Sequence, residues 1–383
     1  MVNPLLELKK AGQSVWLDFI RRDLMTGGEL QRLINQDGLA GVTANPAIFE
    51  KAISHGSEYD GTIARMAGRS TKEIYEAIAF EDVGMAADIF KPVYEQTKRA
   101  DGYVSIEVLA SLANDTQGSI RDAKRYWQAV SRPNIMVKIP ATKEGLPAIE
   151  ECLAAGININ ITLIFSIQRY LAVAEAYVRA LERRVESGQP IDGLASVASF
   201  FVSRVDTLAD KQIEAKLSQA SGEGQKQTLQ ALLGKVAIAN SKVAYRHYKQ
   251  IFGGERFKRL RDKGARPQRV LWASTSTKNP MYPDTYYVDE LIGPQTVNTI
   301  PPETLEKFRE HGRVRPSLEE NVEAAYETLK RLTEVGISLD AVTDQLEIEG
   351  VKQFDDAYNK LLKEIEEKEK QKSGQAAQAV PGD

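Results

Sequence analysis

The segment IMVKIP, residues 135–140, decides the fold and places a charge within it. Apolar residues surround Lys138 on both sides over a length that is typical of a β-strand. A strand that is apolar at odd and even positions alike is buried on both faces, as strands of parallel sheets are. The segment therefore predicts a strand of a parallel sheet, with Lys138 embedded in it.

Short runs of the same kind recur on both sides of this segment. They lie at Val15–Asp18, Gly41–Asn45, Tyr103–Val108, Asn158–Ile164, Ala195–Val202, Arg269–Ser274 and Val297–Pro301. Amphipathic stretches lie between them, including Thr71–Thr97, Gln117–Val130, Gln168–Glu186, Val205–Ala220 and Gln225–Phe252. Strands that alternate with helices predict βαβ units. Eight of them favour an α/β fold of the closed (β/α)8 type, a TIM barrel, over an open doubly wound sheet.

The C-terminal part predicts two further helices, Leu318–Val335 and Gly350–Glu367. The second carries an apolar stripe that includes Phe354 and must be buried against another surface. We expect one barrel domain with these helices over residues 1–367. The end of the chain, KSGQAAQAVPGD, has almost no large apolar residue, so we expect a disordered tail over residues 368–383. The strongly basic segment 256–269 is interpreted as a solvated loop at the amino-terminal rim of the barrel.

Composition excludes several classes of function. The chain has 50 basic and 53 acidic residues, so a nucleic-acid partner has no electrostatic basis. No stretch resembles a signal peptide or a membrane helix, and the single Cys152 fits a reducing compartment, so we expect a cytoplasmic protein without a membrane partner. The histidines His55, His247 and His311 are scattered, which predicts no metal site and structural or exposed roles. Monomer and homodimer both stay open.

Six consecutive predicted strands contain a polar residue near the carboxyl end, where TIM-barrel active sites are built. These residues are Asp18, Asn45, Glu107, Lys138, Thr162 and Ser199. Asn45 could simply end a strand, Thr162 could fill a barrel layer, and Ser199 could be a small filler. The three charged residues could form a structural ion-pair network. Buried charges must nevertheless be paired or neutralised, so a lysine and two carboxyls in one barrel mouth also predict a reactive site.

Lys138 suggests the chemistry. Apolar surroundings disfavour a charged ammonium, and a neutral amine can attack a carbonyl to form a Schiff base. The resulting iminium accepts electrons when a neighbouring carbon–carbon bond breaks, so metal-free aldol chemistry without a cofactor is expected. Such a cleavage needs a base and an acid, and Asp18 and Glu107 are the available carboxyls.

Two segments predict a phosphate site. Arg204 follows the sixth strand near the start of a helix, together with Ser199. An arginine, a hydroxyl and a helix N-terminus suit a phosphate group. The segment ASTSTKNP, residues 273–280, adds hydroxyls and Lys278 after the seventh strand, where barrels often bind phosphate.

These motifs resemble the transaldolases of the pentose phosphate pathway, within the class I, Schiff-base-forming aldolase superfamily. The resemblance covers roughly Val15 to Leu362. It rests on GVTANPAIF (41–49), VSIEV around Glu107, IMVKIPATKEGL (135–146), NITLIFS (160–166), SFFVSR (199–204) and VNTIP (297–301). It implies transfer of a dihydroxyacetone unit from sedoheptulose 7-phosphate or fructose 6-phosphate to an aldose phosphate, either glyceraldehyde 3-phosphate or erythrose 4-phosphate.

The resemblance also implies roles for single residues. Lys138 would form the Schiff base and Asp18 would deprotonate the C4 hydroxyl, while Glu107 and Thr162 would hold the catalytic water. Asn45 and Asn160 would bind the dihydroxyacetone part, and Ser199 with Arg204 would bind the phosphate. The chain departs from the family pattern at two points. Ala44 stands where the family usually has serine or threonine. The family's second phosphate-binding arginine has no clear equivalent, so Lys278 or nearby hydroxyls would substitute for it.

Two rival functions differ in their requirements. A fructose 6-phosphate aldolase shares the barrel and the lysine but releases free dihydroxyacetone. Those aldolases tend to have glutamine and tyrosine where this chain has Glu107 and Phe201, which favours the transferase. A catalytically inactive barrel that acts as a scaffold would have lost a catalytic residue, and each of those sought is present.

Overall fold

The computed structural model describes residues 3–378, apart from the side chains of His55 and of residues 372–378. Eight parallel strands close into a barrel in chain order, and β8 pairs with β1. The strands are β1 Gln13–Leu17, β2 Gly41–Thr43, β3 Tyr103–Glu107, β4 Ile135–Pro140, β5 Ile159–Ile164, β6 Ser196–Phe201, β7 Arg269–Ala273 and β8 Thr296–Ile300. The predicted (β/α)8 barrel is therefore confirmed, with each strand close to its predicted position.

Burial explains why these segments become strands. Every residue of β3, β4, β5 and β6 is buried, as expected for strands covered by side chains inside the barrel and by helices outside it. Trp16 and Trp272 are among the largest fully buried side chains. The predicted apolar runs are thus the wall of the barrel.

Seventeen helices surround and extend the barrel within the described range. The first nine are α1 Pro4–Lys10, α2 Arg22–Thr26, α3 Glu29–Asp37, α4 Pro46–His55, α5 Asp60–Arg65, α6 Thr71–Gln96, α7 Thr116–Val130, α8 Gly145–Ala154 and α9 Ile167–Glu186. The others are α10 Ser203–Gln219, α11 Glu223–Leu232, α12 Val236–Gly253, α13 Glu255–Arg261, α14 Tyr286–Asp289, α15 Pro302–His311, α16 Val322–Glu334 and α17 Leu339–Gln378. None of the described helices combines the length and the apolar run that crossing a bilayer requires.

Two helical predictions need correction. The stretch predicted as one helix over Gln225–Phe252 is divided into α11 and α12, because Gly234 takes a left-handed conformation at φ +67° between them. The basic segment predicted as a loop contains α13. Arg256 at its start forms ion pairs with Glu175 and Glu182 of α9, which anchor this helix to its neighbour.

The C-terminal helices differ from the prediction in length. A short 3-10 turn at Ser317–Glu319 precedes α16, and α17 is far longer than the predicted Gly350–Glu367. The apolar stripe is buried as predicted, since Phe354 and Leu361 are almost inaccessible to solvent. The tail predicted from residue 368 overlaps the end of α17, while residues 379–383 and the side chain of His55 lie outside the described part of the chain.

Candidate active site

A cavity of about 560 Å³ opens where the strands end and contains most of the predicted site residues. The predicted residues that line it are Asp18, Asn45, Lys138, Thr162, Ser199, Phe201, Arg204 and Lys278. Glu107 and Asn160 are buried next to it without lining it. Parallel strands end at the same edge of a barrel, so residues far apart in sequence converge here.

Lys138 is buried at the carboxyl end of β4, with 5% of its surface exposed. Its Nζ lies 3.1 Å from Oε2 of Glu107 and donates a hydrogen bond of 3.2 Å to the carbonyl oxygen of Ala44. Glu107 is its direct partner in the β3–β4 register. Ala44 therefore contacts the lysine through its backbone, a contact that does not depend on the serine or threonine of the family pattern.

The two carboxyls occupy different surroundings. Burial raises the pKa of Glu107, and the charge of Lys138 opposes this shift. Burial also raises the pKa of Asp18, again opposed chiefly by Lys138. Asp18 lines the cavity and accepts a hydrogen bond of 2.7 Å from Oγ1 of Thr43, whereas Glu107 lies behind the lysine. Two carboxyls in unlike positions can take different parts in proton transfer.

Thr162 occupies an irregular part of β5. The register of β5 against β6 shifts between Ile161 and Ile164, and Leu163 has a left-handed φ of 59°. Bulges of this kind redirect side chains near active sites. The buried Oγ1 of Thr162 lines the cavity without a hydrogen-bond partner among the described residues. A hydroxyl in this state can bind a water or a substrate group.

The two predicted asparagines have different roles in the structure. Asn45 lines the cavity, and its Oδ1 caps α4 by accepting from the backbone N–H of Ile48. Asn160 is fully buried, where its Nδ2 donates to Ser105 and its Oδ1 accepts from Ser199 at 2.7 Å. Ser199 lines the cavity, so Asn160 positions this hydroxyl from behind.

The predicted phosphate residues Ser199, Arg204 and Lys278 all line the cavity. Arg204 is the second residue of α10, and its guanidinium lies 5.2 Å from the ring centre of Phe201. Burial lowers the pKa of Arg204, while the charges of Asp18 and Glu107 oppose that shift. Neither Arg204 nor the exposed Lys278 forms an ion pair with a carboxylate in residues 3–378, so both are free for an anion.

Several lining residues were not assigned to the site from the sequence, among them Thr43, Thr299 and Phe354. The hydroxyls of Thr43 and Thr299 lie 2.6 Å apart at the ends of β2 and β8. Both are polar residues near the carboxyl end of a strand, so the criterion that selected Asp18 and Thr162 from the sequence would also have selected them. Phe354 was recognised as a buried residue, but nothing in the stripe indicated that it faces the barrel mouth. Among the described residues, no group of three or more histidine, cysteine, aspartate and glutamate side chains could hold a metal ion.

Comparisons with known proteins agree with this geometry. A family model described as Transaldolase/Fructose-6-phosphate aldolase matches residues 15–365. A "Transaldolase" of Trichodesmium erythraeum is 48% identical over 374 residues, which cover 97% of this chain and 98% of the relative. A "Transaldolase 2" of a Nostoc strain is 47% identical, with 96% and 98% covered. A "Transaldolase" of Thiobacillus denitrificans is 43% identical, with 95% and 100% covered. The chain therefore belongs to the transaldolase/fructose-6-phosphate aldolase family.

Proposed function

We propose that this protein is a transaldolase that moves a dihydroxyacetone unit between sugar phosphates through a Schiff base on Lys138. The donor is sedoheptulose 7-phosphate or fructose 6-phosphate, and the acceptor is glyceraldehyde 3-phosphate or erythrose 4-phosphate. This places the enzyme in the pentose phosphate pathway. One observation carries the proposal: Lys138 lines a cavity with Asp18 beside it and Glu107 within 3.1 Å of its amine.

The lysine and Glu107 begin the reaction. The Lys138 amine attacks the ketose carbonyl at C2, and the carbonyl oxygen leaves as water once it has been protonated. Glu107 is close enough to exchange a proton with the amine directly. Burial raises the pKa of Glu107, which favours its protonated form relative to an exposed glutamate and suits a group that gives and takes a proton. The unpartnered hydroxyl of Thr162 offers a place for that water beside the lysine.

Asp18 supports the bond cleavage. Its carboxylate takes the proton of the C4 hydroxyl while the C3–C4 bond breaks, and the electron pair moves through C3 and C2 onto the iminium nitrogen. An aldose phosphate leaves and an enamine stays on Lys138. The same steps in reverse join the enamine to the acceptor aldehyde and hydrolyse the new imine.

Arg204 and Lys278 supply the positive charge for the phosphate group. Both line the cavity without a carboxylate partner in the described chain, and Ser274 and Ser276 line the same cavity. A guanidinium can bind phosphate oxygens with two parallel hydrogen bonds. Asn45, which also lines the cavity, is placed to bind the hydroxyls of the dihydroxyacetone part.

The cellular setting is part of the proposal. A single cysteine, Cys152, which is buried, suits a reducing cytoplasm. The near balance of 50 basic and 53 acidic residues argues against nucleic acid as a partner. Small sugar phosphates are the proposed partners, with the enzyme as a monomer or a homodimer.

The alternative is a fructose 6-phosphate aldolase that releases free dihydroxyacetone, because the matching family model covers both activities. The test compares fructose 6-phosphate alone with fructose 6-phosphate plus erythrose 4-phosphate, and measures free dihydroxyacetone and sedoheptulose 7-phosphate. A transaldolase forms sedoheptulose 7-phosphate and little free dihydroxyacetone. Steady release of dihydroxyacetone from the donor alone would establish the aldolase instead.

A further inference from the structure

Helix α17 lies across the carboxyl end of the barrel. It contacts α4, α5 and α6, the 3-10 turn Ala110–Leu112, β5 and α10. These elements follow or form strands from different parts of the barrel, so a helix that touches all of them spans the mouth. The C-terminal helix is therefore a wall of the active-site cavity.

Helix α17 packs closely against the bulge of β5, where Gly350 contacts Leu163. A Cβ atom on Gly350 would lie 2.9 Å from Cδ2 of Leu163, the bulge residue with the left-handed φ. A side chain at position 350 would therefore require the Leu163 side chain to shift. Since Leu163 directly follows Thr162, this contact brings α17 next to the part of β5 that carries a cavity-lining residue.

Ion pairs link α17 to the rest of the protein before and after the Gly350–Leu163 contact. Near its start, Glu347 accepts from Arg169 at 3.1 Å. Farther along, Lys360 lies 2.6 Å from Glu50 of α4, and Lys368 lies 3.2 Å from Asp60 of α5. The edge-to-face contact of Tyr358 with Tyr75 of α6 adds an apolar anchor. These contacts keep α17 in one position along its length.

Phe354 lies one helical turn after Gly350, and its side chain lines the cavity. It has 7% of its surface exposed, and its ring centre lies 5.9 Å from Nζ of Lys138. A phenyl ring carries no exchangeable proton. Its face also attracts a cation, which suits the positively charged iminium.

We infer that Phe354 is a specificity-determining residue that keeps the enzyme a transferase, an inference that rests on the proposed function. The enamine on Lys138 has two fates. It can attack the aldehyde carbon of an acceptor, or its carbon C3 can take a proton from water. After protonation the nitrogen is an iminium, a water molecule adds at C2, and dihydroxyacetone leaves as the lysine amine is restored. Phe354 covers the lysine with an apolar surface and suppresses the second fate.

The test measures the ratio of free dihydroxyacetone to sedoheptulose 7-phosphate, with fructose 6-phosphate and erythrose 4-phosphate as substrates. We expect Phe354→Ala to raise this ratio by about tenfold or more, because it opens a path for bulk water to carbon C3 of the enamine. Phe354→Tyr nearly preserves the volume and adds a proton donor, so we expect a rise of about threefold even if the alanine variant folds poorly. Leu361→Ala is the matched control, because Leu361 is a fully buried residue of the same helix that does not line the cavity.

The outcomes separate this inference from the proposed function. Borohydride trapping on the wild type is done first, and a missing adduct on Lys138 would overturn the proposed function. With the adduct and transfer present, an unchanged ratio in Phe354→Ala, or in Phe354→Tyr where the alanine variant does not fold, would overturn the role of Phe354 alone. An equal rise in Leu361→Ala would also overturn it, since general loosening of α17 would then be the cause.

Discussion

The two ends of the barrel treat their charges differently. At the amino-terminal end, Arg269 pairs with Asp101 at 2.8 Å and also donates to Ser14, while Arg266 donates to a backbone carbonyl. At the carboxyl end, Arg204 and Lys278 face the cavity with no carboxylate partner in the described residues. Paired charges stabilise the fold, whereas cations left without partners are available to a ligand. The contrast is between Arg269 on one side and Arg204 and Lys278 on the other, since Lys138 at the carboxyl end is paired with Glu107 and Arg266 at the amino-terminal end has only a backbone partner in the described residues.

The largest effect is expected from Lys138→Met. Removal of the amine abolishes the Schiff base, so kcat/KM should fall by ~10⁴-fold or more. Lys242→Met is a matched control, because Lys242 is 6% exposed against 5% for Lys138 but donates to the carbonyl of Glu320 outside the cavity. Borohydride reduction with fructose 6-phosphate should attach three carbons to Lys138. Recovery of the adduct on a different lysine, or equal losses of activity in both variants, would contradict the assignment.

Asp18→Asn should separate imine formation from bond cleavage. Without the carboxylate, the C4 hydroxyl loses its base, and turnover should fall by ~10²–10⁴-fold. The borohydride-trapped adduct with the intact six-carbon donor should accumulate, measured by peptide mass. A folded variant that no longer forms the imine would assign Asp18 to the first step instead.

The same substitution at the two barrel ends tests the comparison directly. Arg204→Met should raise the KM for fructose 6-phosphate by ~10–100-fold through the loss of charged hydrogen bonds, with little effect on Tm. Arg269→Met should leave KM unchanged and lower stability by about 2 kcal/mol, because Asp101 loses its partner. Steady-state kinetics and thermal unfolding of both variants check this. A higher KM in Arg269→Met would remove the functional distinction between the ends.

The smallest effect concerns Asp206 of α10, a buried carboxyl outside the cavity. It accepts from the N–H of Ala237 and from the hydroxyl of Tyr287, and burial raises its pKa to about 7. The native state therefore keeps a proton that the unfolded chain releases near pH 4, so stability falls as pH rises from ~4 to ~7. Asp206→Asn should remove this loss, which amounts to about 4 kcal/mol over the full range and about 2–3 kcal/mol between pH 5 and pH 8.

Urea unfolding at pH 5 and pH 8 measures the effect. Asp88→Asn serves as the control. The ion pair with Arg132 lowers the pKa of Asp88, so this carboxyl is ionised in the folded and the unfolded protein at both pH values, and its replacement should not change the difference in stability between them. The same difference between the two pH values in the wild type and in Asp206→Asn would show that other groups carry the pH dependence.

Local patterns were sufficient to predict the barrel and many of the polar residues that line the cavity. A continuous apolar run such as IMVKIP indicates a strand that is buried on both faces. A polar residue near the end of such a run indicates a position at the barrel mouth. Contacts between distant segments could not be predicted. The stripe on α17 showed that Phe354 is buried but not which surface covers it, and Arg269 gave no sign of its partner Asp101, which lies in another loop. The division at Gly234 depends on a backbone angle that tertiary packing selects.

The contact between Gly350 and Leu163 links two positions that are far apart along the chain. A side chain at position 350 would occupy part of the volume that the Leu163 side chain now fills, so the leucine would have to shift or be replaced by a smaller residue. A homologue with alanine at the first position should therefore have either a smaller residue or a different side-chain rotamer at the second. The missing side chain at Gly350 thus lets a forty-residue helix lie directly against the strand whose residues border the cavity.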